Sequence, residues 1–356
     1  MTGGPTSVRR RTHTRRRTGA LDPDRRIDSS RRKVVPPFDL DPTLCFYSPQ
    51  ENVDALRHPR VSAWHAFIRD RWTPTPVAGA RRRIALLLPC TRTKPYPVSR
   101  EHRSINAGLL AAGWRPVGPS DSPAELTLVL DDGEDRNVLN TSPLTRRSVV
   151  LDRFVISEPL GLVPYEHTMF WNGEPAPASG YDDPGLFEHR GTSVSPHRPD
   201  CTARQRPDGT WAWGPAEHRA FRQMHHAMVD VLSDTLGRLA DQYAHLVAWV
   251  SPGLTHRSFL LGRVQSAAGL GPDGHAVLPG LLDRHPGLVT VLPDEAQSGR
   301  ARDRLAARLE EQGRRARPRS VTAVYARGDG HDTPLGLPEL VDELVAQLDG
   351  CCRGTS

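Results

Sequence analysis

The apolar positions of this chain change period several times along its length. Arg82 to Cys90, "RRIALLLPC", is a continuous apolar run ended by proline, the pattern of a strand buried on both faces of a parallel sheet. "SVVLDRFVIS" (Ser148 to Ser157) predicts a second such strand, "HLVAWVS" a third and "GLVTVLP" a fourth. Between them the spacing turns helical. Ser99 can cap a helix over "REHRSINAGLLAAG", which Gly113 closes. The longest helical pattern runs from Ala216 to Ala244, with Phe221, Met224, Met228, Val231 and Leu232 on one stripe. "SFLLGRV" opens another helix, and helical patterns close the chain near residues 300–314 and 337–349.

Strands alternating with helices predict a three-layer α/β/α fold with a mainly parallel sheet. The expected organisation has a disordered Arg-rich tail over residues 1–33 and a helical lead-in over 34–80. A catalytic α/β core follows over 81–320, and a C-terminal strand and helix over 321–356. Residues 166–215 interrupt the core with Gly, Pro, Asp and Trp, and irregular tracts of that length are commonly functional or disordered.

Charge sharpens this division. Residues 1–33 hold eleven Lys or Arg against Asp22, Asp24 and Asp28, which leaves the rest of the chain near neutrality, at −2. With almost no apolar side chain to bury, that basic tail reads as disordered, either a bland extension or a nucleic-acid-binding arm. No apolar run approaches the roughly 20 residues needed to cross a bilayer, and "RRRTHTRRRT" has no apolar stretch behind it. No membrane partner is therefore expected. The five cysteines, Cys45, Cys90, Cys201, Cys351 and Cys352, show no CxxC spacing, so a reducing cytoplasmic location is the simpler expectation. His197 and Cys201 with His189 have the residue types of metal ligands but no established spacing, and neither metal nor cofactor is expected.

The basic residues carry a second signal. Of 47, only Lys33 and Lys94 are lysine. Lysine is a compact amine able to lose its proton when buried, whereas arginine stays charged. Lys33 lies in the tail and reads as chance; Lys94 sits in a loop after the first strand, where open α/β sheets bind ligands. Cys90, Thr91, Lys94, Tyr96, Ser99 and His102 follow one another there, and Gly161, Pro164 and Glu166 follow the second strand. Each also has an ordinary explanation: Cys90 as a small hydrophobe, Ser99 as a helix cap, His102 as a partner of Glu101. Together, at a strand end, they form a candidate site. Trp211 and Trp213 can stack on a base or simply belong to a hairpin.

Both loops resemble one family. "PCTRTKPYPVSREH" is similar to the P-C-S-x-x-K-P-Y-x-x-S-x-x-H signature of the archaeosine synthase core domain, and "EPLGLVPYE" to its S-P-L-G-L-V-P-R-E segment. "HPRVSAWHAFIRDRW" resembles the helical lead-in of that domain. Thr91, Glu158 and Tyr165 depart from the pattern, standing where the family has serine, serine and arginine.

The resemblance implies chemistry at the nitrile of a 7-cyano-7-deazaguanine base, with lysine or another amine adding to give an amidine. It implies a substrate in tRNA, DNA or a free nucleoside. Cys90, Lys94, His102 and Glu166 become candidate catalytic residues, and Thr91, Tyr96, Ser99, Gly161 and Pro164 candidate substrate contacts. A thiolate can add to a nitrile, and a nearby ammonium favours the thiolate. Lys94 or His102 can supply that charge, and His102 or Glu166 the proton for the imine nitrogen. The alternatives are a non-catalytic nucleic-acid-binding module of the same fold and a deazapurine-processing enzyme of secondary metabolism.

Overall fold

The computed structural model describes residues 22–183, 192–266, 275–314 and 316–353. Three helices lead in: α1 (Pro23–Arg31), α2 (Pro49–Ala55) and α3 (Pro59–Asp70), each with proline in its first turn and a side-chain cap from Asp22, Ser48 or His58. The central sheet then begins with β1 (Arg82–Pro89), followed by α4 (Arg100–Ala111), capped by Ser99 as the sequence predicts. β2 (Arg115–Pro116) and β3 (Leu144–Arg146) are short, and β4 (Val149–Ser157) is buried along its whole length. β5 (Gly161–Pro164) folds back on it.

The tract that follows holds two small antiparallel ribbons, β6 (Phe170–Trp171) with β7 (Glu174–Pro175) and β8 (Arg204–Gln205) with β9 (Trp211–Ala212). Next come α5 (Pro215–Leu239), β10 (His245–Trp249) and α6 (Thr255–Leu261). A third ribbon pairs β11 (Arg263–Ser266) with β12 (His275–Leu278). The chain continues through α7 (Leu281–Arg284), β13 (Thr290–Leu292), α8 (Glu295–Glu311), α9 (Pro318–Ala326) and α10 (Pro338–Arg353).

In the sheet the order is β13-β10-β1-β4-β3-β2, with β13, β10, β1 and β4 parallel. The outer edge of β4 is shared: β3 pairs with Val149–Leu151 and β5 with Phe154–Ser157, both antiparallel. α5 packs with α2, α3, α6 and α7, while α10 packs with α4 and α8, giving the predicted α/β/α layering. One consequence of the strand order places the site. From β1 the chain moves outward to β4, and from β10 it moves outward to β13 on the other side. The order therefore reverses between β1 and β10, and the loops leaving their C-terminal ends diverge to open a crevice.

Three expectations need correction. Residues 23–31 are helical, and Ser30 is buried with its Oγ donating to Asp182 Oδ2 at 2.6 Å, so the predicted disorder does not extend through residue 33; residues 1–21 lie outside the described residues. The "SFLLGRV" segment is helical only to Leu261, because Gly262 turns out at φ +76° and the chain continues as β11. Among the described residues 321–353 there is no strand: Val321, Val324 and Tyr325 share the face that α9 turns to α8, and α9 and α10 are the elements present.

Candidate active site

Cys90 lies one residue beyond β1, at the β1–β10 crevice. Its Sγ is 3.3 Å from Nε2 of His256, which comes from the first turn of α6, after β10. The two loops that diverge at the order reversal thus each contribute one member of a thiol–imidazole pair. Burial pushes the Cys90 thiol up to about 11, and the Lys94 ammonium is the main group opposing that rise. Burial also lowers His256, while the nearby carboxylates of Glu158, Asp183 and Glu101 act in the other direction. Among the described residues His256 Nδ1 is buried without a partner.

Glu158 stands at the turn between β4 and β5, hydrogen-bonded to Asp183 and close enough to Cys90 and His256 to feel both. Its burial, and next the charge of Asp183, raise it far above the ordinary carboxylate range, so this acid pair retains a proton near neutral pH. Asp183 also accepts from Asn52 Nδ2 at 3.0 Å, which ties the pair to α2.

Lys94 is 1% exposed. Its Nζ donates to the carbonyl of Thr91 at 2.5 Å and lies over the rings of Tyr181 (4.7 Å) and Tyr96 (5.2 Å). Burial lowers its affinity for a proton, and Cys90 and Asp182 partly restore it. The phenols beneath it join Ser157 in a closed set of hydroxyls, with Tyr96 to Ser157 at 2.8 Å, Tyr96 to Tyr181 at 2.7 Å and Ser157 to Tyr181 at 2.5 Å. Lys33, read from the sequence as chance, belongs here too. Its carbonyl accepts from Lys94 N at 2.8 Å, and its Nζ donates to Asp182 Oδ2 at 2.5 Å.

Cys90, Thr91, Lys94 and Tyr96 are therefore brought together, whereas the other candidates lie elsewhere. His102 is fully buried behind the loop. Its Nε2 donates to Pro89 O at 3.1 Å, Nδ1 accepts from Tyr165 Oη at 3.2 Å, and its ring stacks on Tyr165 at 5.8 Å. With both nitrogens engaged, and with burial lowering it to about 4, His102 is a neutral positioning group for Cys90's strand end. Ser99 Oγ accepts from His102 N and serves as the helix cap. Gly161 and Pro164 bound β5, paired with Ser157 and Phe154 of β4.

Glu166 is displaced most. It accepts from Trp72 Nε1 at 3.1 Å and feels Asp152, Arg83 and Arg153. Asp152 lies five residues before Ser157 along β4, roughly 16 Å at the usual strand rise. Tyr165, one of the departures from the family motif, contacts Asn106 and carries the Arg153 guanidinium on its ring at 4.1 Å. Trp213 is buried, with Nε1 donating to Ser193 O, so it presents no stacking face.

Reasoning from sequence missed His256, Glu158 and Asp183. His256 had a usable signal, since "SPGLTHRS" follows a predicted strand just as "CTRTKPY" does. Glu158 was visible only as a departure from a motif. Asp183 lies in the irregular tract, where no periodicity predicts its partner. Among the described residues no group of three or more His, Cys, Asp or Glu side chains is arranged to hold a metal ion; His189 lies outside them.

At the C-terminal end of β10 opens a cleft of about 730 Å³, walled by Ser251 to Leu254 and Arg257 after β10, by Glu295, Ser298 and Arg302 of α8, by Tyr325 of α9, and by Asp332 to Pro334. Asp332 accepts from Arg92 N at 3.3 Å, and Thr333 donates from both N and Oγ1 to Glu101, so this wall is fastened to the Cys90 loop and to α4.

Compared with protein-family models, with curated proteins and with solved structures, the chain matches none.

Proposed function

We propose that the chain is a transferase that uses Cys90 as a nucleophile on the nitrile carbon of a 7-cyano-7-deazaguanine base, with an amine completing the reaction as an amidine. The observation that carries this reading is the 3.3 Å contact between Cys90 Sγ and His256 Nε2 across the strand-order reversal. The two loop motifs supply the substrate class, and the buried acid pair beside the thiol suits its chemistry.

In the first step the sulfur adds to the nitrile carbon and the thiol proton passes to His256 Nε2. The Glu158–Asp183 pair gives its proton to the developing imine nitrogen, and His256 restores it. The net change is R–C≡N plus Cys–SH to the thioimidate R–C(=NH)–S–Cys. An incoming amine then adds to the same carbon, the carbon–sulfur bond breaks, and the sulfur recovers a proton. A neutral imidazole is the base that this step needs, and burial of His256 favours that form. Lys94 favours the thiolate against the burial that opposes it.

Incubation with 7-cyano-7-deazaguanine or its nucleoside, without amine, should leave an adduct on the Cys90 peptide, read by mass spectrometry. Cys90→Ser should abolish the adduct, because an unactivated hydroxyl is a far poorer nucleophile. His256→Asn should slow its formation by about 10²-fold or more, the usual scale of a general base, with the melting temperature held. Ordinary turnover in Cys90→Ser would sink the thiol mechanism.

A further inference from the structure

The cleft after β10 contains charges that the proposed chemistry does not use. Along α8, Arg300 and Arg304 pair with Glu343, and Arg308 with Glu339 and Asp329. Arg302, on the same helix, turns instead to the cleft. Its Nε donates to Ser298 O at 3.1 Å, its guanidinium lies over the Tyr325 ring, and it forms no carboxylate pair among the described residues. Arg257 faces the same space from α6, donating from Nη1 to Val250 O at 2.6 Å; it forms no salt bridge among the described residues, and Asp294 acts on it only through space. Between them Ser298 is 9% exposed, and its Oγ is buried without a hydrogen-bond partner.

Two half-buried guanidinium groups and an orphaned hydroxyl around one cavity make a site for a compact oxyanion. Leaving these groups unpaired costs free energy that an anion would recover through charge-assisted hydrogen bonds. Asp332 on the wall of this cleft accepts from Arg92 N in the Cys90 loop and is close enough to Cys90 to act on its thiol, so the anion subsite lies near the thiol. We propose that this cleft holds the 5′-phosphate of a small nucleotide, making the substrate a nucleoside monophosphate and not a nucleic acid strand. This assignment of the subsite to a substrate rests on the nucleobase reading of the Cys90 site.

The dimensions favour a small ligand. A cavity of about 730 Å³ falls within the range of small-molecule sites, roughly 300–1,000 Å³. A strand would need a run of basic side chains along its backbone. Outside residues 1–33 the chain carries a net charge of only −2, and the carboxylates of Glu295 and Asp332 themselves line this cleft.

Calorimetric titration of the full chain separates the possibilities, using guanosine 5′-monophosphate, guanosine, inorganic phosphate and a single-stranded guanine-containing oligonucleotide. The monophosphate should bind at least about tenfold more tightly than guanosine, the scale of one or two charge-assisted contacts. Arg302→Met and Arg257→Met should each bring the monophosphate down towards guanosine, while the exposed Arg319→Met changes nothing. Ser298→Ala, the smallest of these changes, should weaken the monophosphate and leave guanosine unaltered.

Equal affinity for guanosine and its monophosphate, or indifference to Arg302→Met, would overturn the subsite. Preference for the oligonucleotide over the monophosphate would overturn it as well. Phosphate binding that depends on Arg302, with no binding of the monophosphate and no Cys90 adduct, would retain an anion site and discard the nucleobase reading. An adduct forming equally well from nucleoside and monophosphate would do the reverse.

Discussion

Lys33 and Lys94, the only lysines in the chain, meet side by side: their backbones pair, and Lys33 holds Asp182 while Lys94 lies over two phenol rings. An ammonium is compact enough for such a cage, and the planar fork of arginine is not. At this scale the two carboxylates following β4 separate by their surroundings. Glu158 faces the thiol, and Glu166 sits against Trp72 and Asp152. Burial, and next Asp152, raise Glu166 to about 7, well above the 4.5 of a free glutamate. The folded state binds this proton more tightly than the unfolded chain, so the contribution is full below pH 4.5 and is lost as pH rises through 7. Glu166→Gln should therefore raise the melting temperature relative to wild type at pH 8, with the gap shrinking towards pH 5, and turnover should stay the same. Loss of turnover at constant stability would instead restore Glu166 to the reaction.

Among the elements, the β4–β5 hairpin decides where Glu158 points. Gly161 starts β5 at φ +79°, and a Cβ there would stand 2.4 Å from Val231 Cγ1 of α5. Only glycine allows both the turn and this approach. The N-terminal segment acts in a comparable way. α1, the buried Ser30, Lys33 and the Val34–Lys94 bridge attach it to the Cys90 loop and to Asp182. Removing residues 1–33 should lower the melting temperature by several degrees, since it leaves Asp182 buried without its cation, a loss that commonly costs about 3–5 kcal/mol. A truncated chain that melts like the full one would show that these contacts add nothing to stability.

For the molecule as a whole, the β1–β10 crevice depends on both covering layers. α10 buries Leu340, Val341, Leu344, Leu348 and Cys351 against α4 and α8. Four of these are aliphatic side chains of the size that contributes about 1.5–3 kcal/mol each when buried, a sum comparable to the roughly 5–15 kcal/mol total of a typical domain. Truncation after Leu337 should abolish cooperative thermal unfolding, followed by circular dichroism. A sharp transition in the shortened chain would make α10 dispensable.

The sequence by itself determined the four parallel strands, the Ser99-capped helix, the long α5 and the position of Cys90 and Lys94 at a strand end. Each depends on local period, on a cap or on a proline stop, and those are properties of neighbouring residues. It also marked the irregular tract, without indicating that Asp182 and Asp183 emerge from it into the site. Only the tertiary structure decided the rest. The reversal of strand order beside β1 brings His256 to Cys90 across 166 positions of sequence, and the hairpin turn brings Glu158 in place of Glu166. The same packing gives His102 two protein partners and makes it a positioning group. Strand order and turn direction depend on which buried faces meet, and no stretch of neighbouring residues encodes that choice.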